Sequence, residues 1–243
     1  MSEEKFLIED GILKEYTGTG EREVAVPDGV TEISEFAFYG CKDMQTLKIP
    51  EGVKKLGEKF ADGCDSLETV YLPSTLEDFK MAFYECKSLK RVVIAEGLKE
   101  ISDEAFWFCE ELRDVNLPKS LKRIGGFAFA DCFLLESADL PAGLEELGES
   151  AFNDCWAITR IDIPRGVKEI AAYTFGGSEA LKEVFIPASV EKVEANAFFP
   201  SGKDTVVYCE AEEKPAGWEK NWDVCGGFIF KKRLKAVWGF KRK

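Results

Sequence analysis

Apolar and polar residues follow one pattern that returns every 22 or 23 residues along most of the chain. In residues 98–118 it comprises two apolar residues three apart, then Ala-Phe, then Cys, and then Leu-x-x-Val-x-Leu-Pro. We number the copies one to seven by a shared position, which is occupied in turn by Cys41, Cys64, Cys86, Cys109, Cys132, Cys155 and Ser178. A fixed period of this length predicts a solenoid, because one copy alone cannot bury its apolar positions but stacked copies can.

Each copy contains a segment that predicts a strand and a segment that predicts a short helical turn. Residues 46–49 alternate polar and apolar side chains, which suits a strand with one buried face, and the proline that follows ends the strand. Residues 102–104, Ser-Asp-Glu, precede Ala105 and Phe106 and offer a helix N-cap with an acidic first turn. We therefore expect strands ~4.8 Å apart in one parallel sheet.

Two copies depart from the pattern. Copy two has Phe60-Ala61 in place of Ala-Phe, and copy three is one residue short between Leu76 and Cys86. These departures predict a local kink or a shifted helical turn near residues 57–84.

The motif in residues 37–50, which reads Ala-Phe, Cys and Leu-x-Ile-Pro, resembles the BspA-like leucine-rich repeats, and the later copies repeat it. Residues 10–27 are similar to the opening turn of that family, and residues 208–222 and 237–240 are similar to its closing cap. The resemblance implies an α/β repeat solenoid that is right-handed, with one parallel sheet of short strands and short helical or irregular segments opposite. It also implies a binding or adhesion role, often at a cell surface.

We expect one domain over residues 1–243, with an N-terminal cap at 1–29, repeats at 30–198 and a C-terminal cap at 199–243. The closing cap is needed because the last repeat would otherwise expose a strand edge and apolar interior. Its covering bulk is expected from Trp218, Trp222, Phe228, Phe230 and Trp238.

Charge narrows the class of partner. The net charge is −13, whereas binding to phosphates relies on a basic face, so we expect no duplex nucleic acid partner. The last thirteen residues hold seven cations and no acids. This basic tail could contact the acidic body, an anionic partner or only solvent.

The first residues lack the basic start and apolar run of a signal peptide, and no stretch approaches the ~18 apolar residues of a membrane span. The chain as written is therefore expected in the cytoplasm. A secreted or cell-surface location is expected if a targeting segment has been removed.

Candidate chemistry is sparse. The chain has no histidine, which excludes Ser-His and Cys-His nucleophile pairs and His-ligated metals, and no Cys-x-x-Cys spacing suggests zinc. The repeat cysteines are expected to be small buried core residues, and Ser178 indicates that any small side chain serves in that position. A link between Cys209 and Cys225 is left open. We expect no catalytic residue, no metal and no cofactor.

Side chains that flank the buried strand residues point to the open face of the sheet. That face is mostly polar, but at a few positions it combines apolar residues with arginine, and aromatic residues and arginine are enriched at binding hot spots. The candidate partner-binding residues on it are Tyr71, Arg91, Val93, Arg160, Asp162 and Phe185. An alternative patch, beside the Phe and Cys positions, consists of Tyr84, Trp107, Phe133 and Trp156, whose rings either cover the core or form a contact surface.

The sequence thus predicts a non-enzymatic binding module that presents an extended solenoid face to a protein or glycan. The alternative is a structural or self-associating element that uses the aromatic patches. An enzyme would need a deep pocket with perturbed carboxylates, and a chain with 45 acidic residues does not reveal one by its sequence.

Overall fold

The computed structural model describes residues 5–202, 204–225 and 232–241. Within these ranges the chain forms twenty strands and no α-helix. In chain order the strands are β1 (Phe6–Glu9), β2 (Ile12–Tyr16), β3 (Glu23–Ala25), β4 (Glu32–Ile33), β5 (Thr46–Lys48), β6 (Lys55–Leu56), β7 (Thr69–Leu72), β8 (Arg91–Ile94), β9 (Glu100–Ile101), β10 (Asp114–Asn116), β11 (Arg123–Ile124), β12 (Glu146–Leu147), β13 (Arg160–Asp162), β14 (Glu169–Ile170), β15 (Glu183–Ile186), β16 (Lys192–Val193), β17 (Val206–Cys209), β18 (Val224–Cys225), β19 (Lys232–Arg233) and β20 (Lys235–Val237).

One wall of the coil, which we call the strand wall, is built from the Leu-x-x-Val-x-Ile segments. Strands β3, β5, β7, β8 and β10 form one parallel sheet, and β13, β15, β17 and β20 form another. Leu47, Val70 and Val92 lie opposite one another in register and are buried. Because side chains alternate along a strand, the residues on either side of these three face outward.

A second ladder of short parallel strands runs along another wall, where the sequence predicted only one sheet. Its members are β2, β4 and β6, then β9, β11 and β12, and then β14 and β16. Ile101, Ile124 and Leu147 lie in register and are buried, and a more exposed charged residue precedes each of them. One charged and one apolar residue are too short a pattern to indicate a strand in the sequence, which is why this ladder was missed.

Turns replace the predicted helical segments on the third wall, which we call the turn wall. It comprises, in each copy, the residues between the second ladder and the residue after the cysteine position. In copy four the Phe106 amide donates to the Ala128 carbonyl oxygen of the next copy at 2.9 Å. Glu104 and Phe108 have left-handed φ values of 59° and 60°, which interrupt an α-helix. The helix predicted after residues 102–104 is therefore wrong.

Phenylalanine rings, one from each of the seven copies and one from the segment after copy seven, form a column through the centre of the core. From Phe83 to Phe198 neighbouring rings are stacked, with centroids 5.2–5.8 Å apart and planes within 8–14° of parallel. The column consists of the buried residues Phe38, Phe60, Phe83, Phe106, Phe129, Phe152, Phe175 and Phe198.

Phe60 explains the inverted dipeptide of copy two. The Phe38 amide donates to the Phe60 carbonyl oxygen, as the Phe83 amide donates to that of Ala105, so Phe60 stands at the alanine position of the backbone. Its ring still enters the column, edge-on to Phe38 and Phe83 at interplanar angles of 80° and 81°. A ring from the neighbouring backbone position thus fills the core space that Ala61 leaves.

The kink predicted near residues 57–84 is absent from the strand wall, where β5, β7 and β8 pair without a break. The irregularity lies instead in the second ladder. There Lys55 pairs with Asp78 in an isolated bridge, and the Phe79 amide donates to the Ser102 hydroxyl oxygen at 3.1 Å. The missing residue of copy three is therefore absorbed in the turn after Asp78, and a side chain replaces part of the backbone ladder.

The periodic cysteines are free thiols, and all of them except the partly buried Cys41 are buried in the core. Four of them donate to the carbonyl oxygen of the column phenylalanine one copy earlier, at Sγ–O distances of 3.1–3.4 Å. Burial raises the pKa of the Cys132 thiol well above its ordinary value, so this donor keeps its proton. Ser178 is fully buried, and its hydroxyl has no hydrogen-bond partner among the described residues. Ser178 thus fits the position as a small buried side chain, but its hydroxyl does not make the hydrogen bond that these thiols make.

Ser178→Cys is expected to raise the free energy of unfolding by ~1 kcal/mol, because a buried unpaired hydroxyl is replaced by a donor that reaches the Phe152 carbonyl oxygen. Cys132→Ser should lower it by a similar amount, and Cys132→Leu by ~1–3 kcal/mol through overpacking. Urea denaturation of the three variants measures these changes, with Ser178→Ala as the control that removes the hydroxyl without adding a donor. Destabilisation by Ser178→Cys would contradict the assignment of the thiols as donors.

Candidate partner-binding site

The strand wall is interrupted in copy five. The first sheet ends at β10 and the second begins at β13, and residues 137–140 between them do not form a strand. Ala138 occupies the inward position that is Val115 in the copy before and Ile161 in the copy after. Alanine has a lower strand preference than branched residues and leaves less apolar bulk for the core, so the chain departs from the ladder at this copy.

A side-chain bridge lies in the ladder before the interruption, and a tight turn lies within it. The Asn116 side chain pairs with the backbone of Ile94, accepting from its amide at 2.8 Å and donating to its carbonyl oxygen at 3.0 Å. The Leu140 amide donates to the Ala138 carbonyl oxygen at 2.8 Å, which folds the copy-five segment onto itself. The amides of Thr159 and Arg160 donate to no backbone oxygen of residues 136–140, all of which lie in the described part of the chain.

A cleft of about 710 Å³ opens between copies five and six at this interruption. Its floor is apolar, with Leu140 and Ile163, and its edges carry Asp139, Arg160 and Arg165. This volume lies within the roughly 300–1,000 Å³ that is usual for ligand pockets. The interruption therefore produces a cleft large enough to bind a ligand, with an apolar floor and charged edges.

An aromatic and cationic rim borders the cleft on the side of copy seven. The Arg160 guanidinium lies over the Phe185 ring at 4.4 Å, and Phe185 stacks on Tyr208 at 4.8 Å. Phe240 packs against both rings, with centroids 5.5 and 5.0 Å away. Hydrogen bonding to Asp162 raises the pKa of Arg160, so the guanidinium remains charged. The structure thus brings together Arg160, Asp162 and Phe185, which the sequence singled out.

The other candidates on the strand wall lie nearer the N-terminus. Tyr71 is 38% exposed and lies opposite Val93, and the Lys48 ammonium is 5.8 Å from its ring. Arg91 lies opposite Thr69, so Arg91 and Tyr71 are diagonal neighbours and not members of one row. Arg91 is also held in an ion pair with Asp114, at 3.2 Å. This second group is flatter and is not associated with the cleft.

The alternative aromatic residues fall into two groups on the turn wall. In the first, Trp107 contacts Tyr84 at 5.4 Å, Phe108 at 5.2 Å and Phe127 at 5.5 Å, and its indole N–H donates to the Asp131 carboxylate at 2.9 Å. Sequence reasoning missed Phe108 and Phe127. Phe127 lies two residues before the column phenylalanine, a position that it shares with the exposed residues Phe36 and Tyr173, and that periodicity could have revealed it.

Phe133 and Trp156 form the second group. Their rings stack at 4.1 Å with planes 19° apart, and Trp156 is 48% exposed. The pair therefore covers part of the core and still leaves an aromatic surface open to solvent.

The remaining features of the described residues give no sign of other chemistry. Cys209 and Cys225 are both free thiols, so the link that the sequence left open is not formed. Within the described ranges no group of three or more Cys, Asp or Glu side chains is arranged to hold a metal ion. None of the described segments forms an apolar helix of membrane-spanning length. Phe228, Phe230, Lys231, Arg242 and Lys243 lie outside the described residues.

The repeat region of the chain is similar to known leucine-rich-repeat proteins. A family model described as a BspA type leucine rich repeat region, in six copies, matches residues 14–106 and 79–205. A leucine rich repeat protein of T. pallidum is similar at 29% identity, with a TM-score of 0.55 and 86% of each chain covered. A leucine rich cell surface protein of Faecalibacterium prausnitzii is similar in fold at 21% identity, with a TM-score of 0.50, covering 88% of this chain and 75% of that one. No curated protein matches the chain.

Proposed function

Because the chain belongs to the BspA-type leucine-rich-repeat family, whose members are repeat scaffolds for binding, we propose that it binds a protein partner on its strand wall at the copy-five cleft. The observation that carries this proposal is the cleft itself, with Arg160 and the Phe185 ring at its rim. Aromatic rings and arginine next to an apolar depression are the usual composition of a binding hot spot. The family resemblance extends the proposal to a secreted or cell-surface location.

The wall favours a protein over a glycan or a nucleic acid. The cleft offers an apolar floor between paired charges, which suits a side chain and its backbone better than a hydrophilic sugar ring. The net charge of −13 opposes a polyanion. Among the described acidic side chains at the cleft, Asp162 is paired with Arg160 at 3.1 Å and Asp139 is exposed, and no feature of either carboxylate assigns it to catalysis.

The decisive experiment compares partner capture from native lysate by the intact protein and by variants of each surface. Arg160→Ala with Phe185→Ala should weaken capture at least tenfold, ~1.4 kcal/mol, while the midpoint of thermal unfolding changes little, because both side chains are partly exposed. Tyr71→Ala with Arg91→Ala tests the flatter group on the same wall. Trp156→Ala is the matched control on the turn wall.

The outcomes separate the surfaces. Loss of capture with either strand-wall pair, and not with Trp156→Ala, supports the strand wall. Loss with Trp156→Ala alone moves the site to the turn wall. If the captured material resists protease and is lost after glycosidase treatment, the partner is a glycan and the protein proposal is wrong.

A second candidate function is self-association through the turn wall, favoured by the exposed Trp156 ring on its stacked partner Phe133. Light scattering over a concentration series should then show a mass that rises with concentration for the intact protein and stays monomeric for Trp156→Ala. A constant monomer mass for the intact protein at high concentration would rule this candidate out.

A further inference from the structure

We propose that the copy-five cleft binds its partner through an extended basic peptide segment, which adds to the edge of β13 as an extra strand. This inference rests on the proposed function and names the chemistry of the segment that enters the cleft. Three features support it: the unpaired amides at the start of β13, the residues that form the gap, and the charge at the edges of the gap.

The edge of β13 that faces copy five keeps hydrogen-bonding groups that other copies use. In copies three and seven, the two amides at the start of the strand donate to one carbonyl oxygen of the preceding copy: Lys90 and Arg91 to Glu68, and Lys182 and Glu183 to Thr159. The equivalent amides of copy six are those of Thr159 and Arg160. They make no such bond to Glu136, and all three residues are described.

A strand edge with free donors is a template for another extended chain. Backbone hydrogen bonds supply affinity in this mode of recognition, and pockets for alternate side chains supply selectivity. The cleft beside β13 has such a pocket, floored by Leu140 and Ile163. An extended segment can therefore pair with the strand and place alternate side chains on that floor.

The gap is built by specific residues of copy five and its neighbour. In the preceding sheet the Asn116 side chain takes the place of a backbone partner for Ile94 of β8, so the ladder between β8 and β10 is short. Ala138 lacks the branched side chain that anchors the strand in the other copies. The hydrogen bond from the Leu140 amide to the Ala138 carbonyl oxygen forms a turn, so this segment does not join the ladder. The small residue and the turn in copy five thus leave the amides of Thr159 and Arg160, at the start of β13, without a backbone partner in that copy.

Charge at the cleft favours a basic segment. Arg160 is engaged by Asp162 and Glu183, at 3.1 and 3.3 Å, and Arg165 by Glu210 at 2.6 Å. The Asp139 carboxylate, in contrast, is exposed and makes no ion pair within the described residues. With the cations already neutralised and the whole chain at −13, the local field attracts cationic side chains and repels acidic ones.

The test uses a capped hexapeptide, Lys-Val-Lys-Val-Lys-Val, which places valine on one side and lysine on the other when extended. Two matched peptides accompany it: one with glutamate in place of lysine, and one with the lysine sequence but N-methylated at alternate residues, which keeps the charge and removes backbone donors. Binding is followed by amide chemical shifts of the intact, isotope-labelled protein. The lysine peptide should bind saturably and shift the amides of Thr159 and Arg160, and both matched peptides should bind at least tenfold more weakly.

A variant that repairs the gap provides an independent readout. Ala138→Val restores the branched residue of the other copies, so residues 137–139 should join the ladder and protect the Thr159 and Arg160 amides from hydrogen exchange. Affinity for the lysine peptide should then fall at least tenfold. Ala25→Val, the same change on the outward side of β3, is the control and should leave the affinity unchanged.

Equal binding of the N-methylated peptide, or shifts confined to other parts of the protein, would overturn the added strand. So would a lysine peptide that fails to bind. The proposed function is tested separately by competition. Partner capture that depends on Arg160 and Phe185 but is not reduced by the lysine peptide overturns only the strand inference, whereas capture independent of both residues overturns the proposed function itself.

Discussion

Deletion of residues 205–243 is expected to leave a protein that is insoluble or that unfolds without a cooperative transition. The deletion removes β17, which pairs with β15 in parallel register over four residues. It would expose the strand edge of β15 and the buried residues behind it, Val184 and Phe198. An exposed hydrophobic strand edge promotes pairing with other chains, and solenoids require a terminal cap for solubility.

The tryptophans of the closing segment explain the size of the effect. Trp218 and Trp222 are buried, pack against each other at 4.8 Å and contact Trp238 at 5.6 and 6.1 Å. The Trp218 indole N–H donates to the Val190 carbonyl oxygen at 3.2 Å, and Trp222 meets the last ring of the phenylalanine column, Phe198, at 6.4 Å. Each buried tryptophan contributes several kcal/mol, since large-to-small changes of this kind remove ~3–5 kcal/mol.

Solubility after centrifugation and the shape of the urea transition measure the outcome. The matched control is a chain that ends at residue 241, which keeps every described contact of the segment. A soluble 1–204 fragment with a steep transition would show that residues 205–243 are not a cap but an accessory to a solenoid that is stable without them.

The period of the sequence was sufficient to predict the coil and the inward positions of the strand wall. Leu47, Val70 and Val92 are predicted to be buried because they share one apolar position of the repeat, and they are buried. The phenylalanine column follows from the same reasoning, because a large apolar residue at one phase of a repeat must meet its equivalents in the stacked copies. Period and polarity therefore fix which residues are inside.

They do not fix how the backbone outside the strands satisfies its hydrogen bonds. Ser-Asp-Glu before Ala-Phe is a sound helix start in isolation. In the coil the amides of these segments instead donate to the next copy, as from Phe106 to Ala128, and the left-handed residues Glu104 and Phe108 turn the chain to make this possible. A choice between local and inter-copy hydrogen bonds is a tertiary effect, which a local pattern does not contain.

The sequence contains a partial signal for the cleft. Ala138 is the one small residue at a repeat position that otherwise holds Val, Leu or Ile. Asn116 lies one copy earlier, at an outward position of β10. One small residue in a core column usually indicates local repacking, so the loss of the whole strand was not predicted. Tyr208 and Phe240, which complete the rim, were assigned to the cap and not to the strand wall.

Phe129→Ala is expected to lower the free energy of unfolding by ~3–5 kcal/mol. Phe129 is 1% exposed and is stacked between Phe106 and Phe152, with centroids 5.3 Å away on both sides, so its removal leaves a cavity that neither neighbour can fill without leaving its own stack. Trp156→Ala removes a larger ring from the surface and is the control. Its effect should be no more than about 1 kcal/mol, because that ring is half exposed and its burial is incomplete.

The position of the loss along the coil distinguishes a stacked column from a globular core. In a solenoid each copy contacts only its neighbours, so hydrogen exchange should accelerate most in copies four to six and least in the N-terminal hairpin of β1 and β2. Urea denaturation gives the total change and exchange gives its distribution. A loss below 2 kcal/mol would mean that the column relaxes to close the cavity, and uniform acceleration along the whole chain would mean that the copies unfold as one unit.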